Sequence, residues 1–385
     1  MRPRPSNASP PPEDLVLAVT KEAEAQAHVW FPDLEPTRLR TTVGDAEVRA
    51  RCFLYRAQLD DGRSQRSVLV KVRHSQPRLR RLDRYHQRPV LNPERTMSDL
   101  DSARREYDAL AYIGAALAGA DRRRFGVLRA LAWLPDQCAI IVDLVDEPTL
   151  RRRLLEASRL QMRRSHSVDE VAWANAGALL RLVHDHPDPW ELPARNGDRD
   201  DVVALYRGFC DFLRQRLGPS LLLAELTAAA GMVEDALPGA LPLVTGHGDF
   251  VANNMFVSPT GRITVFDPLP RWRVAPYQDL ATLAVGTRLI PLQAASQGLA
   301  LPADVLDSCE QALLGGYFGS DQKPMSAIRA YQLLVLLDRW SALVSKRLPN
   351  GRVRPQLHEV RVRVATMHYR RQARRLLAQL ATADS

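Results

Sequence analysis

Residues 247–267 read HGDFVANNMFVSPTGRITVFD, and their polar positions are spaced in a way that a plain connecting loop does not require. An acid, Asp249, is followed five residues later by an amide, Asn254, and thirteen residues after that by a second acid, Asp267. Between Asn254 and Asp267 lie two short apolar runs, MFV and ITVF, separated by Pro259-Thr260-Gly261. Apolar runs on either side of a Pro/Gly turn predict a tight β-hairpin, whose outer ends meet. Such a hairpin draws Asn254 and Asp267 together, close to the loop that carries Asp249. Taken alone, the octamer HGDFVANN also fits a loop with a capping aspartate, so its surroundings have to decide.

Two carboxylates and an amide oxygen in this order suit phosphoryl transfer. Moving a γ-phosphoryl group leaves a protein little covalent work; it must position the accepting hydroxyl and neutralise phosphate charge. Asp249 is assigned as the catalytic base that orients the hydroxyl and takes its proton. Asn254 and Asp267 are assigned as ligands of Mg2+, a cation that takes few protein oxygens and completes its shell with phosphate oxygens and water.

Working outward, the N-terminal part is β-rich. Residues 14–31 read as a helix. EVRARCFLYRAQL (47–59) alternates, DDGRS (60–64) supplies a turn, and SVLVKVR (67–73) continues as an apolar strand. That strand holds Lys71, one of only four lysines in an arginine-rich chain. A lysine reaching the α- and β-phosphates is the functional reading, an exposed strand lysine the plain one. Residues 74–98 are polar, Arg-rich and broken by Pro77, Pro89 and Pro93, which reads as a solvated insertion. A helix over 98–117 carries Glu106 as the partner of Lys71, and GVLRALAWL and CAIIVDLV (126–134 and 138–145) read as a second strand pair. From Glu147 onward helical patterns dominate, at 149–162, 169–186, 202–217, 220–237 and on to the C-terminus, interrupted only by the hairpin. The fold expected is α+β: a disordered tail at 1–13, a small β-rich lobe over 14–145 and a larger, mainly helical lobe over 146–385. A small ligand is expected in a cleft between unequal lobes.

Composition narrows the function classes. The chain has 385 residues, 53 Lys plus Arg against 44 Asp plus Glu, a formal net charge of +9, and 45% apolar residues, the balance of a globular protein. Cys52, Cys138, Cys210 and Cys309 are too scattered for a disulfide scaffold or zinc module, which fits a reducing compartment. No apolar run is long enough to span a membrane, and the opening MRPRPSNASPPPED lacks the apolar core of a signal peptide, so a cytoplasmic protein is expected. The basic charge points to an anionic partner. Nucleic acid is disfavoured because no recognised binding motif accompanies the charge; peripheral contact of the Arg-rich faces with an anionic membrane stays open.

The stretch HGDFVANNMFV…ITVFDPLPR…PYQDLATL closely resembles the aminoglycoside phosphotransferase and choline-kinase-like family of small-molecule kinases. CAIIVDLVDEPTL is similar to that family's hinge, and GALLRLVHDH to its helix ending in Leu-His; the resemblance runs from about residue 40 to about residue 345. It implies a two-lobed protein-kinase-like fold that uses ATP or GTP with Mg2+. By position it implies Asp249 as catalytic base, Asn254 and Asp267 as metal ligands, and Lys71 with Glu106 as the phosphate-anchoring pair. Asp143 and Val145 match the hinge positions whose backbone meets the nucleotide base. His247 would hold the loop, and Asp279 would brace it from the following helix. Three departures stand out. TTVGDAEV offers only Gly44 in place of a Gly-rich phosphate loop, and 35 residues separate Lys71 from Glu106. Only twelve positions lie from Asp267 to Asp279, too few for a phosphorylatable activation segment, so no protein substrate is expected.

For the acceptor, the sequence offers arginines rather than the acidic cradle a polycation needs. Arg271 and Arg273, just beyond Asp267, suit a phosphate or carboxylate. The expected acceptor is a small-molecule hydroxyl, on a sugar, a sugar-containing metabolite or a glycolipid. The alternatives are an antibiotic-inactivating phosphotransferase of aminoglycoside or macrolide type, and a pseudokinase that binds without turnover.

Overall fold

A computed structural model describes residues 10–49, 51–74, 88–93, 97–158, 169–345 and 355–383. Most of the expected tail and of the 74–98 insertion, and the end of the helix expected over 149–162, lie outside the described residues. The chain divides into two compact units. One comprises Met1–Arg81, Thr96–Ala115 and Val127–Asp146; the other comprises Leu82–Arg95, Ala116–Gly126 and Glu147–Ser385.

The first unit is an antiparallel sheet with a helix on it. Helix α1 (Glu13–Trp30) starts behind a run of prolines that cannot extend it, with Glu13 and Asp14 placed favourably at its positive end. Leu15, Val19, Ala23, Ala27 and Trp30 recur at helical spacing and form its buried stripe. Strands β1 (Arg40–Val43), β2 (Glu47–Val48), β3 (Cys52–Asp60) and β4 (Gln65–Arg73) precede helix α2 (Asp99–Ala116). The unit's remaining strands are β6 (Ala130–Leu134) and β7 (Ala139–Asp143), and the strand order is β1-β3-β4-β7-β6, with β2 on β3. The DDGRS turn forms between β3 and β4: Asp60 accepts from Gly62 N at 2.7 Å, and Asp61 accepts from Arg63 N and Ser64 N at 2.8 and 2.6 Å. The backbone N–H groups of Ser64, Glu35 and Arg63 hold the Asp61 carboxyl at about 2. Val68 and Val70 join the core under α1. The two-residue period of a strand turns Lys71 and Arg73 to the other face.

The second unit is mainly helical: α3 (Leu150–Glu156), α4 (Glu170–Asp185), α5 (Arg199–Leu217), α6 (Leu221–Ala228), α7 (Ala230–Asp235), α8 (Tyr277–Arg288), α9 (Pro291–Ala295), α10 (Ala303–Phe318), α11 (Met325–Ser345) and α12 (Pro355–Ala381). Thr149, Asp169, Asp198 and Ser220 each cap a following helix by accepting a backbone N–H with the side-chain oxygen. Helix α11 is buried on nearly every side from Ala327 to Leu337, so it runs through the core. Tyr369, Ala373, Leu376 and Leu380 of α12 pack into the same cluster. Helices α4 and α10 approach through glycine: a Cβ on Gly316 would meet the Ala174 carbonyl, and one on Gly177 the Leu313 carbonyl. The expected hairpin forms as β9 (Met255–Val257) and β10 (Ile263–Val265), with Ile263 opposite Val257 and Val265 opposite Met255. A second small sheet pairs β8 (Val244–Thr245) with β11 (Arg273–Val274).

Three local readings need correction. Residues 220–237 form two helices, not one, with the break at Ala229. The strand expected over 126–134 is two strands; β5 (Phe125–Val127) leaves the larger sheet and pairs with β10. Residues 88–93 are not solvated insertion: Leu91 is 5% exposed in the core of the second unit. Arg88 donates to the Asp338 carboxylate at 2.8 Å, Arg195 to the Val90 carbonyl at 3.4 Å, and Trp272 Nε1 to the Pro93 carbonyl at 3.2 Å. Composition misled here, because Arg88 and the Val90 and Pro93 carbonyls, which look solvent-bound, each have a side-chain partner.

Four helices share one buried ionic cluster. Glu310 of α10 accepts from Arg288 of α8 at 2.8 Å, from Gln332 of α11 at 2.9 Å and from Arg329 of α11, and Arg288 also donates to Asp307 at 2.7 Å. Arg375 of α12 adds a further contact to Asp307. Burial pulls the Glu310 carboxyl up, but Arg329 and Arg288 more than offset this and hold it at about 2. Removing one partner of such a cluster leaves buried charge uncompensated. Glu310→Gln is therefore expected to lower unfolding free energy by about 3–5 kcal/mol, read from urea denaturation at neutral pH, whereas a loss under about 0.5 kcal/mol would show the cluster to be solvated.

Candidate active site

The loop at 246–254 is fixed from below by one carboxylate. Asp279, in the first turn of α8, is 3% exposed, and its Oδ2 accepts from the backbone N–H of His247 at 2.8 Å. The same oxygen meets His184 Nε2 at 3.3 Å, and His184 Nδ1 lies 2.9 Å from the Tyr317 hydroxyl. His184 closes α4 and Tyr317 closes α10, so the glycine-mediated approach of those helices brings this pair to Asp279. Gly246 leaves room for it, since a Cβ there would sit 2.7 Å from Asp279 Oδ2. Gly248 has φ +84°, and a Cβ on it would meet the Leu269 carbonyl, so only glycine fits. Leu269 N in turn donates to the His247 carbonyl at 2.9 Å, which ties this loop to the segment just beyond Asp267.

His247 is buried and lies edge-on to Phe250, with ring centroids 5.6 Å apart. Its Nδ1 accepts from Asp249 N at 3.4 Å. Burial pushes its pKa below the ordinary imidazole value, against the pull of Asp279, Asp249 and Asp267. Those three carboxylates come from helix α8, the loop itself and the end of the hairpin.

Asn254 joins the two halves of the site. Its Nδ2 donates to Asp249 Oδ2 at 2.9 Å and to the Asp249 carbonyl at 3.0 Å. The amide nitrogen is thereby used up, and Oδ1, the atom able to ligate a cation, engages no hydrogen bond among the described residues. Across the hairpin, Phe266 N donates to the Asn254 carbonyl at 3.0 Å, one step beyond the β9–β10 ladder, so Asp267 follows directly on the residue facing Asn254. Phe256 and Phe266 stack at 4.4 Å and stiffen that end. Asp267 has φ 56°, a left-handed conformation that aspartate tolerates at some cost. Asp249 itself is exposed, and among the described residues only its Oδ2 is engaged. A single carboxylate and a single amide oxygen make the donor set that suits Mg2+ completed by phosphate oxygens. Among the described residues no group of three or more His, Cys, Asp or Glu forms a metal cage.

In the first unit, Lys71 Nζ donates to Glu106 Oε1 at 2.7 Å, with both side chains buried. Glu106 also accepts from Arg73, a second cation that the sequence reading did not single out. The available signal was positional: Arg73 is two residues from Lys71 and shares its face of β4. Asp143 ends β7 opposite Val68, and Arg129 Nη2 pairs with its carboxylate at 3.2 Å. Val145 makes no backbone hydrogen bond among the described residues. Of the arginines expected at the acceptor, Arg273 lies on β11, where its guanidinium reaches the Leu243 carbonyl at 3.2 Å and Asp188 at 3.7 Å, a structural seat. Arg271 is partly exposed beside Asp267 in sequence. Tyr317 was not foreseen; nothing in the sequence ties it to a residue 133 positions away.

Because His247 titrates lower in the folded chain than its ordinary value of 6.5, the unfolded chain takes up the proton first as pH falls. Folding stability is therefore present above about pH 6.5 and declines below it. Urea midpoints measured between about pH 7.5 and about 5.5 are expected to fall, and to fall less steeply in His247→Gln; an unchanged slope in that variant would place the pH sensitivity elsewhere.

No protein-family model and no curated protein matches the chain. Among solved structures, an ethanolamine kinase of Plasmodium vivax superposes with TM-score 0.51 at 11% identity, covering 96% of this chain and 93% of that one. A choline kinase of Cryptosporidium parvum Iowa II gives TM-score 0.50 at 11% identity, covering 94% and 96%. A choline/ethanolamine kinase family protein of Mesorhizobium loti gives 0.49 at 14% identity, covering 94% and 98%. Over nearly its whole length, then, the chain has the protein-kinase-like fold found in choline and ethanolamine kinases.

Proposed function

We propose that the protein is a small-molecule kinase that moves the γ-phosphoryl group of ATP, or of GTP, to a hydroxyl. The observation that carries this reading is the Asp249–Asn254 contact, with Asp267 drawn alongside by the Phe266–Asn254 backbone bond. Asp249 keeps Oδ1 for an incoming hydroxyl: it orients the oxygen and accepts the proton as the new bond forms. Asn254 holds that carboxylate in place, and its Oδ1 together with the Asp267 carboxylate would hold Mg2+. When bound, the ion would neutralise phosphate charge. Lys71, fixed by Glu106, would anchor the phosphates as a compact cation, and the backbone of Val145 would meet the nucleotide base. His247 and Asp279 keep the loop rigid, so little reorganisation is left for the reaction itself.

For the acceptor, a sugar hydroxyl, free or in a larger metabolite or glycolipid, fits best. The segment following Asp267, PLPRWR, contains two arginines and no acid. Trp272 Nε1 donates to the Pro93 carbonyl, which ties this segment to residues 88–93.

A nucleotide-consumption screen over sugars, amino sugars, aminoglycosides, macrolides, choline, ethanolamine and lipid-linked saccharides tests the reading. Turnover is expected with one class and is expected to fall by about 10²–10⁴-fold in Asp249→Ala, the usual worth of a positioned base. Asp267→Ala is expected to abolish Mg2+-dependent nucleotide binding measured by calorimetry. Full activity in Asp249→Ala, or purified protein that takes up no nucleoside triphosphate, would overturn the assignment; nucleotide binding without turnover would leave a pseudokinase.

A further inference from the structure

A concave surface of about 460 Å³ on the second unit shares no residue with the site described above. It is lined by Gln297, Met367, Arg370, Arg371 and Arg374. Three arginines line one hollow, and no acidic residue stands among its walls. The segment from Pro291 to Leu301 that forms one side contains no acid at all. On the other side, helix α12 has a single acid after Pro355, Glu359, two turns away. Asp307, the acid that reaches α12, is taken by Arg375 and Arg288.

The walls are held in place by groups that leave the positive charge uncompensated. Gln297 has φ 53°, followed by Gly298 at φ +92°, a sharp left-handed turn. Its Nε2 donates to the Ala294 carbonyl at 2.9 Å and across to the Val364 carbonyl of α12 at 2.7 Å. Its own carbonyl receives a hydrogen bond from Arg371 Nη1. A carbonyl orients Arg371 without cancelling its charge, unlike the carboxylates that pair with Arg375 and Arg288. Arg370 Nε is buried with no hydrogen-bond partner, and neither Arg370 nor Arg374 has an acidic partner among the described residues. A guanidinium offers five donors in a planar fork that matches phosphate oxygens. Beside them Met367 is 53% exposed, and one helical repeat earlier on α12 Val360 is 56% exposed. An arginine-lined hollow with one guanidinium held by a carbonyl and an apolar shoulder fits a phosphate group that carries an organic substituent.

We propose that this arginine hollow on α12 is a binding site for a phosphate-type anion, a phosphomonoester or phosphodiester whose apolar portion lies against Met367. Two sources share that chemistry, a soluble phosphorylated metabolite and the headgroup of an anionic lipid. The probes are inorganic phosphate and glycerol phosphate by calorimetry, and sedimentation with vesicles of phosphatidylcholine alone or mixed with phosphatidylglycerol. Each is applied to the whole chain, to Asp267→Ala, to Arg370→Gln/Arg371→Gln/Arg374→Gln, and to Arg122→Gln/Arg123→Gln/Arg216→Gln, which removes equal charge at exposed positions elsewhere. Binding of a free phosphate, or of the phosphatidylglycerol vesicles but not the neutral ones, is expected in the unmodified chain and unchanged in Asp267→Ala. It is expected to weaken about fivefold for each arginine removed from the hollow, and to persist in the variant altered elsewhere. The class of probe that binds identifies the source. No binding of any anionic probe, equal loss in the two triple variants, or full retention in the hollow variant would overturn the proposal.

Discussion

The Asp279 carboxylate is the fixed point of the candidate site. A buried anion is costly unless polar hydrogens surround it. Asp279 meets this demand by collecting a backbone N–H from the loop and an imidazole from α4. Each bond is charge-assisted and lies in a low-dielectric interior, where such bonds are strongest. The loop cannot shift without leaving that charge unpaired. Its geometry is thus set by the packing of α4, α8 and α10, elements whose own positions follow from apolar burial and from two glycines at a helix contact.

From that anchored loop the remaining geometry is local. Asn254 is one hydrogen bond from Asp249, and Asp267 is one residue beyond the end of a two-stranded ladder. Short covalent paths between rigid points hold side chains better than long ones, which is the structural content of preorganisation. The left-handed backbone at Asp267 belongs to the same economy: the chain turns abruptly there, stores some strain, and keeps the carboxylate at the hairpin mouth.

How much of this was legible in the sequence depended on range. The hairpin, Asp249, Asn254 and Asp267 were readable because all lie within about twenty residues and turn chemistry fixes their meeting. The Lys71–Glu106 pair was readable from element order, since a strand lysine and a helix glutamate are the residue types one buried pair needs. Arg73 was not legible as a second partner, because one cation already neutralises Glu106, and the sequence does not show that its second oxygen also accepts from a neighbouring side chain. Tyr317 and the burial of Leu91 were invisible for a different reason. Each depends on which helix faces which, and no periodicity within a segment encodes that. Residues 88–93 were misread because arginine and proline usually signal exposure, whereas here Arg88 pairs with Asp338 and backbone carbonyls of the segment accept from Arg195 and Trp272.

The two compact units are not consecutive stretches of polypeptide. Residues 88–93 and Ala116–Gly126 belong to the later unit although they precede Asp146, the last residue of the earlier one. Leu91 therefore waits for helices that emerge from the ribosome more than a hundred residues afterwards, and β5 waits for β10. Cutting the gene at the apparent boundary would give a C-terminal fragment with a vacant core position and an unpaired strand edge. The C-terminal stretch taken alone thus lacks two of the segments that complete its unit, and a transplant of that unit would have to bring both of them along.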